Sequence, residues 1–385
     1  MKRSLFVLLC CLLASVSAWA KVVSESQARM VAQSFRQTGA RSVAVPTLVY
    51  TGMASHSGAR VAEAPTFYVY NYGTDQGFVI VAGDDCVPSI LAYADKGRFS
   101  AGDAMPSQVA WWLDTYSVYI DGARSGTRAL VQAPDLGDFE VAVQPLVKTL
   151  WDQAEPYNGL CPMLSADERC ATGCAATAIA QVMNYHQWPE SGEGSVTHGG
   201  LVMDFSQSVY DWDNMLDTYT PGAYSETEGR AVAKLMLDVG MSVKMAYGYE
   251  SGAQNVHIYR SLYTYFKYSK KAQFVSLNSM TGTEWTSLIR AELEAGRPVY
   301  YSGVSEDQTM GHAFVCDGIS EDNQFFHFNW GWSGHCNGFY SVFVLNPPIP
   351  GIGGGQAWRR RRGCKGGRGY SRSAEPPRPC RRART

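Results

Sequence analysis

The pattern of apolar and polar positions predicts a first module that ends near Val143. A helix is predicted for SESQARMVAQSFRQ, with Ser24 as its N-cap and Glu25 in its first turn. Two apolar-aromatic runs flank a glycine-containing turn in TFYVYNYGTDQGFVIVAGDD, which is typical of a β-hairpin. An amphipathic helix is predicted for SQVAWWLDTYSVYIDGAR. The more polar stretch 126–144, with its glycines and prolines, is interpreted as a linker.

From Gln144 onward, helical patterns come first and strand patterns follow. One helix should begin at Cys174 and end near Pro189, and two more are predicted for EGRAVAKLMLDVGMSV and TEWTSLIRAELEAG. After Gly296 the patterns favour strands in RPVYYSGV, HAFVCDGI, FFHFNW and GFYSVFVL. The turn SEDNQ between the second and third of these predicts that they form an antiparallel hairpin. A helical half and a sheet half indicate an α+β fold with a cleft between them.

The first twenty residues, MKRSLFVLLCCLLASVSAWA, have the features of a secretory signal peptide. Lys2 and Arg3 precede an apolar run, and Ala18-Trp19-Ala20 supplies a small-x-small cleavage site. We therefore predict export, and no membrane contact after the signal is cleaved. Eight cysteines remain in more than 360 residues, which is too few for a disulfide scaffold. Cys170 and Cys174 lack a second pair at zinc-finger distance, so no metal site is predicted.

Charge is divided unevenly along the chain. Residues 356–385 carry a local charge of +10, whereas the remaining 355 residues hold 22 basic and 34 acidic side chains, a net charge of −12. The tail is rich in Arg, Gly and Pro and cannot bury an apolar face, so disorder is predicted. It is interpreted as a frameshifted end or an unusual extension. Binding of a polyanion rests on charge alone, and no nucleic-acid partner is expected.

Cys174 stands where a helix begins, in the stretch ATGCAATAIAQVMNYH. A free cysteine is often a buried packing residue, and that alternative needs no catalysis. However, the unpaired N–H groups and the dipole at a helix N-terminus favour a thiolate. Gly173 would let a substrate backbone approach, and the alanines that follow keep the first helical turn slim. Cys174 is therefore a candidate nucleophile.

Three further residues fall in an order that suits thiol catalysis. His312 opens the apolar strand AFV and lies 138 residues after Cys174, within the spacing of roughly 130–150 residues typical of papain-type enzymes. Asn329, followed by Trp330, could lie beside His312 on the neighbouring strand and hold its ring. Gln153 could donate a side-chain N–H to an oxyanion, together with the backbone N–H of Cys174. A structural role remains open for each residue taken singly.

The chain resembles the streptopain family of secreted papain-like cysteine peptidases. The resemblance rests on QPLVKTLWDQAEPYN, TGCAATAIAQVMNYH, GHAFVCDGI and FHFNWGWSGHCNGFY, with shorter agreement in YVYNYGTDQGFVIVAGDD and LMLDVGMSVKMAYGYESGA. These motifs fall in family order, from the end of the signal to about Gly355. The family continues past GIGGG with a glycine-rich loop and a final strand. The arginine-rich tail departs from that pattern, which leaves open a catalytically impaired chain.

The resemblance implies a papain-like catalytic domain of two subdomains, preceded by an α+β inhibitory propeptide. The boundaries expected are a signal peptide at 1–20, a propeptide at 21–143 that is removed by self-cleavage near Gln144, a peptidase domain at 144–355 and the tail at 356–385. The resemblance supports Cys174 as nucleophile and His312 as general base. It also supports Gln153 as oxyanion donor and Asn329 with Trp330 as support for the histidine.

The resemblance further assigns substrate contacts to Gly311, to Gly173 beside the nucleophile, and to the loop Ser251-Gly252-Ala253. The expected partners are protein or peptide substrates and the chain's own propeptide, and no cofactor is expected. Two alternatives remain open. Cysteine, histidine and asparagine also serve amidases or acyl transferases that act on cell-wall peptides. A non-catalytic binder could instead hold glycan on a surface formed by Trp330 and Trp332, or a polyanion on its tail.

Overall fold

The computed structural model of the chain describes residues 21–37, 44–53, 64–102, 105–128, 140–270, 272, 274–304, 311–344 and 356–358. The predicted signal peptide and most of the predicted tail lie outside these residues, as do residues 129–139 of the predicted linker. Among the residues described, no helix combines the length and the apolar character needed to cross a bilayer.

The described residues include six α-helices, and the predicted helical patterns are among them. They are α1 (Glu25–Gln37), α2 (Ser107–Arg124), α3 (Cys174–His186), α4 (Glu226–Ser242), α5 (Asn255–Tyr265) and α6 (Gly282–Glu294). Helices α4 and α6 begin with capping boxes, in which Ser225 pairs with Glu228 and Thr281 with Glu284. These side chains satisfy backbone donors of the first turn and so fix where each helix starts.

The strands build a mixed architecture dominated by antiparallel pairing. They are β1 (Pro46–Gly52), β2 (Phe67–Tyr72), β3 (Phe78–Ala82), β4 (Ile90–Ala94), β5 (Val141–Val143), β6 (Ser195–His198), β7 (Leu201–Asp204), β8 (Phe274–Ser276), β9 (Val299–Val304), β10 (Gly311–Ser320), β11 (Phe325–Asn329), β12 (Gly338–Ser341) and β13 (Gln356–Trp358). Nine of them form one sheet in the order β1-β2-β3-β4-β12-β11-β10-β5, and β9 also pairs with β10. The predicted hairpins β2–β3 and β10–β11 are confirmed as antiparallel pairs.

One sheet runs through both sequence modules. Strand β12 of the second module pairs with β4 of the first, with Phe339 opposite Tyr93 and Tyr340 opposite Ala92. Helix α2 packs on the same sheet, where the ring of Trp112 lies 4.8 Å from that of Phe328. The first module therefore shares a core with the second, because its helix covers apolar side chains of β10, β11 and β12.

A second core lies in the helical half and supports α3. The buried side of α3 carries Ala176, Ile179 and Met183, which join residues of α4 and the buried residues Ala313 and Val315 of β10. Helix α3 thus lies between α4 and β10, and its N-terminus reaches the boundary between the helical half and the sheet half. The α+β architecture predicted from the sequence is confirmed.

Two sequence predictions need correction. The linker 126–144 includes strand β5, in which Val143 pairs with Ile319 of β10, because its apolar Val141–Val143 stretch extends the sheet. The tail, predicted to be disordered from Gln356, begins with the short strand β13, whose backbone pairs with β8. Helix α5 and the hairpin β6–β7 were not among the elements predicted from the sequence.

Candidate active site

Cys174 is the first residue of α3, and the backbone of Gly173 fixes its position. Gly173 has φ +87°, and a Cβ there would collide with the side chain of Met245 and the carbonyl oxygen of Ser251. Only glycine fits this conformation and this space. Burial raises the pKa of the partly exposed Cys174 thiol, although hydrogen bonds from the backbone N–H groups of Ala313, Ala175 and Cys174 itself act to lower that pKa.

His312 is the second residue of β10, next to a residue that contacts the Cys174 thiol. Its neighbour Ala313 supplies the backbone N–H that bonds the Cys174 sulfur, and Gly303 of β9 lies opposite His312 in the ladder. The imidazole is mostly buried. Burial lowers the pKa of His312 to about 4, so the ring is neutral at pH 7. Strand β10 is therefore bonded to the Cys174 sulfur one residue from His312, and both the thiol and the imidazole are uncharged at pH 7.

Trp111 of α2 covers the imidazole from the side of the first module. Its ring centroid lies 6.2 Å from that of His312, with 52° between the ring planes. The same indole fills the space above Gly303, where an added Cβ would overlap the ring. A residue of the first module thus packs directly on the candidate general base and excludes water from it.

Gln153 lies next to the segment that leads into Cys174. Its carbonyl oxygen accepts a hydrogen bond of 3.1 Å from the N–H of Thr172, two residues before Cys174. Its own N–H donates to the Asp152 carboxylate at 2.6 Å. Both backbone polar groups of Gln153 are fixed, and its half-buried side chain belongs to the loop beside the N-terminus of α3.

Asn329 is placed differently from the sequence prediction. It lies opposite Val315, three residues along β10 from His312. Its side-chain amide donates to the Thr149 carbonyl oxygen at 2.7 Å, and its side-chain oxygen accepts from Gly331 N at 3.1 Å and from Gln181 Nε2 at 3.4 Å. The predicted bond to the His312 ring is therefore replaced here by bonds that join β11 to α3 and to the N-terminal segment of the second module.

Trp330 is buried in the core rather than exposed on a surface. It is 1% exposed, its indole N–H donates to the Cys336 carbonyl oxygen at 3.0 Å, and its ring lies 4.6 Å from that of Phe314. Trp332 is half-buried and donates to Gln108 of α2 at 2.7 Å. The two rings do not form an exposed glycan-binding surface, because Trp330 is buried in the core and Trp332 is half-buried.

The predicted substrate loop adjoins Gly173. The Ser251 hydroxyl donates to the Ala171 carbonyl oxygen at 2.7 Å, and Gly252 forms a two-way backbone bridge with Ala246. Ala253 is half-buried and packs on the core of the helical half. Gly311, at the start of β10, is exposed next to His312. The structure thus brings Gly173, Gly311 and the loop Ser251-Gly252-Ala253 to the neighbourhood of Cys174 and His312.

The other cysteines of the described residues are buried thiols away from solvent: Cys86, Cys161, Cys170, Cys316 and Cys336. Burial and the neighbouring Cys170 raise the pKa of Cys161 to about 12, so this thiol is a poor nucleophile at neutral pH. No group of three or more His, Cys, Asp or Glu side chains that could hold a metal ion occurs in the part of the chain described.

The first module contributes residues to the site that the sequence patterns did not indicate. Trp111 was included in a predicted amphipathic helix without a role, and Gln108 and Ser100 were not singled out. Ser100 Oγ lies 2.9 Å from His335 Nδ1, in the loop that follows Trp330. One signal was present: adjacent helical residues point about 100° apart, so with Trp112 facing the core, Trp111 is predicted to lie at the edge of the buried stripe.

Comparison with protein families matches both modules. The family model described as peptidase C10 matches residues 151–340, and the Spi protease inhibitor model matches residues 20–120. Streptopain of Streptococcus pyogenes is 34% identical over 352 residues, which cover 80% of this chain and 85% of streptopain. The thiol protease/hemagglutinin PrtT of Porphyromonas gingivalis is 34% identical over 376 residues, 92% of this chain but only 42% of PrtT.

Two solved structures of Prevotella intermedia proteins are similar to the chain. A prointerpain A fragment with a cysteine-to-alanine substitution has a TM-score of 0.67 at 32% identity, covering 83% of this chain and all of that fragment. Active wild-type interpain A cysteine protease has a TM-score of 0.51 at 36% identity, covering 59% of this chain and 98% of that one.

Fold, site and comparisons together define a cysteine peptidase made as a zymogen, with a protease-inhibitor module ahead of its peptidase domain. The chain belongs to the peptidase C10 family, together with streptopain.

Proposed function

We propose that the chain is a secreted endopeptidase zymogen that removes its own propeptide and then hydrolyses peptide bonds of protein substrates. The proposed parts are a signal peptide at 1–20, a propeptide at 21–143 and a peptidase domain at 144–355, with processing near Gln144. The observation that carries this proposal is the packing of Trp111, from the inhibitor module, on His312 next to Cys174. Export is supported by the signal-like N-terminus.

The proposed mechanism assigns one role to each group. The His312 imidazole takes the proton of the Cys174 thiol, and the thiolate attacks the carbonyl carbon of the scissile peptide bond. The oxyanion that forms accepts hydrogen bonds from the Gln153 side chain and the Cys174 backbone N–H. The C–N bond breaks as His312 returns its proton to the leaving amine. Water then attacks the thioester, which releases the acid product and restores the thiol.

Neighbouring residues hold these groups in place. Asn329 and Trp330 support the site by fixing β11 and the loop behind β10, since the side chains of both are buried and hydrogen-bonded. The neighbourhood of Gly173, Gly311 and the loop Ser251-Gly252-Ala253 forms the wall along which a substrate backbone lies. The reaction as proposed uses protein groups and water, with a reduced thiol as its chemical requirement.

Latency follows from the charge state of the site. With its propeptide docked, burial lowers the pKa of His312 and raises the pKa of Cys174, so the proton stays on sulfur and the imidazole is neutral. Both pKa shifts oppose transfer of the proton from the Cys174 thiol to the His312 imidazole, and so oppose formation of the thiolate. Departure of Trp111 would return water to the imidazole, raise its pKa and allow a thiolate–imidazolium pair to form.

Intact mass measured against time tests this proposal. Residues 21–385 and their Cys174→Ala variant are incubated with a reducing agent, with Cys161→Ala as a matched control that loses a buried thiol elsewhere. We expect the wild type and Cys161→Ala to lose a segment that ends near Val143, and Cys174→Ala to stay intact. Trace processed wild type added to Cys174→Ala should then cleave it. Unaided cleavage of Cys174→Ala at the wild-type rate would refute the proposal.

A further inference from the structure

Two loops that flank the candidate site are joined by the Asp152 carboxylate and by one backbone hydrogen bond. Asp152 Oδ1 accepts the backbone N–H of Gln153 at 2.6 Å, and Asp152 Oδ2 accepts the hydroxyl of Ser333 at 2.5 Å. The backbone N–H of Ser333 also donates to the Trp151 carbonyl oxygen at 3.1 Å. The loop that carries Gln153 and the loop that follows Trp330 are therefore held together at the Asp152 carboxylate.

These bonds fix the position of the Gln153 backbone relative to Cys174. The Gln153 N–H is held by Asp152 and its C=O by Thr172, so the backbone of Gln153 is fixed relative to the start of α3. Hydrogen bonds to a carboxylate are shorter and about twice as strong as neutral ones. An oxyanion donor must be held within about 0.5 Å of its working geometry, which makes backbone fixation important for the rate.

The conformation of Ser333 is an independent sign that its hydroxyl matters. Ser333 has φ +50°, in the left-handed region, while Gly331 and Gly334 in the same loop have φ +74° and φ +77°. A side chain in that region costs on the order of 1 kcal/mol, which glycine would avoid. The loop thus keeps a strained serine between two glycines, and that serine donates to Asp152.

We infer that Asp152 is a positioning residue for the hydrolysis: together with Ser333 it holds Gln153 where its side chain can donate to the oxyanion. This inference rests on the proposed role of Gln153. Asp152 itself does not touch substrate, and its carboxylate charge is met by two donors, which limits repulsion of the oxyanion. A merely structural Asp152 would instead stabilise the fold without any dependence on Gln153.

A double-mutant cycle on the processed enzyme separates these roles. The variants are Asp152→Ala, Gln153→Ala and the double variant, each assayed for kcat, KM and Tm with a fluorogenic peptide. We expect Gln153→Ala to lower kcat by roughly 100-fold or more, as for other oxyanion donors. Asp152→Ala should lower kcat by about 10-fold with little change in KM. The double variant should be no slower than Gln153→Ala, because Asp152 acts only through Gln153.

Two further variants distinguish a positioning role of Asp152 from simple loss of folding. Asp152→Asn keeps an oxygen acceptor for the Gln153 N–H and should restore kcat to within about threefold of wild type. Ser333→Gly relieves the backbone strain but removes the hydroxyl, so we expect a lower kcat with Tm unchanged or higher. A double variant in which the two losses multiply would overturn the inference, as would Asp152→Ala with wild-type kcat. An unchanged kcat in Gln153→Ala would instead overturn the proposed oxyanion role.

Discussion

The rings of Trp111 and His312 lie 6.2 Å apart, centroid to centroid, and are tilted by 52°, although Trp111 belongs to the inhibitor module and His312 to the peptidase domain. Burial lowers the pKa of His312 to about 4, and the Trp111 indole is part of what buries the imidazole. It also requires Gly303, whose missing side chain leaves room for the indole. Inhibition and the protonation state of the site are thus physically linked.

Replacing Trp111 with alanine should weaken inhibition by the propeptide. Loss of a half-buried indole removes about 1–3 kcal/mol of packing, which corresponds to roughly 5- to 150-fold weaker inhibition. The measurement is the lag before peptide hydrolysis begins in freshly prepared zymogen, which should shorten. Val118→Ala, two turns further along α2 and also half-buried, is the matched control and should keep the wild-type lag.

Gly303→Ala, on the peptidase side of the same contact, should also weaken inhibition by the propeptide. Its new Cβ would overlap the Trp111 ring, so either the indole or β9 must move. We expect the lag to shorten as in Trp111→Ala, and the two changes together to add little, since both remove one contact. A normal lag in Gly303→Ala would show that the indole is not what holds the enzyme latent.

The stability of the zymogen should fall as pH drops from about 6.5 to about 4. The folded-state pKa of His312 is lowered below its ordinary value of 6.5 by burial, so in this window the unfolded chain binds the proton first. The loss is at most about 3 kcal/mol and ends below the folded pKa. Thermal unfolding of Cys174→Ala zymogen at several pH values measures it. Adding His312→Gln should flatten this part of the pH profile, and an unchanged slope would contradict the assignment.

Processing near Gln144 should occur between molecules rather than within one. Val143 pairs with Ile319, seven residues along β10 from His312, which places the junction roughly 24 Å from the imidazole at about 3.4 Å per residue. Leu146 and Val147 are also bonded to Asp317 at that far end. Tenfold dilution should therefore lengthen the processing half-life about tenfold. A half-life independent of concentration, followed by gel or mass spectrometry, would indicate release of β5 and cleavage within one chain.

Asn329→Ala should lower the stability of the peptidase domain and leave proton transfer at His312 unaffected. The substitution leaves the Thr149 carbonyl and the Gly331 N–H without their partner in a buried place, which costs about 2–3 kcal/mol. We expect a lower Tm, with the pH dependence of hydrolysis unchanged in the molecules that remain folded. Asn214→Ala, which removes a surface bond to Asp211, is the control. A shifted pH profile at unchanged Tm would instead assign Asn329 to the His312 ring of the mature enzyme.

Much of this molecule could be inferred from local patterns. The helix that begins at Cys174, the hairpin that carries His312 and Asn329, and the helix that contains Trp111 all follow from periodicity and turn residues. Gly173 before the helix indicated close backbone approach, and the structure shows a positive φ and a contact with Met245 there. These features are local, so the sequence alone determines them: each depends on a few neighbouring residues.

Tertiary structure decided what those elements touch. Whether Asn329 bonds His312 or Thr149 depends on strand register, which places it opposite Val315. The residues around β5 favoured a linker, but its apolar stretch pairs with the backbone of β10 and so extends the sheet. Trp111 meets His312 only because α2 crosses the sheet shared by both modules. Contacts between residues some two hundred positions apart depend on how whole elements pack, and that packing is not encoded in any one stretch of sequence.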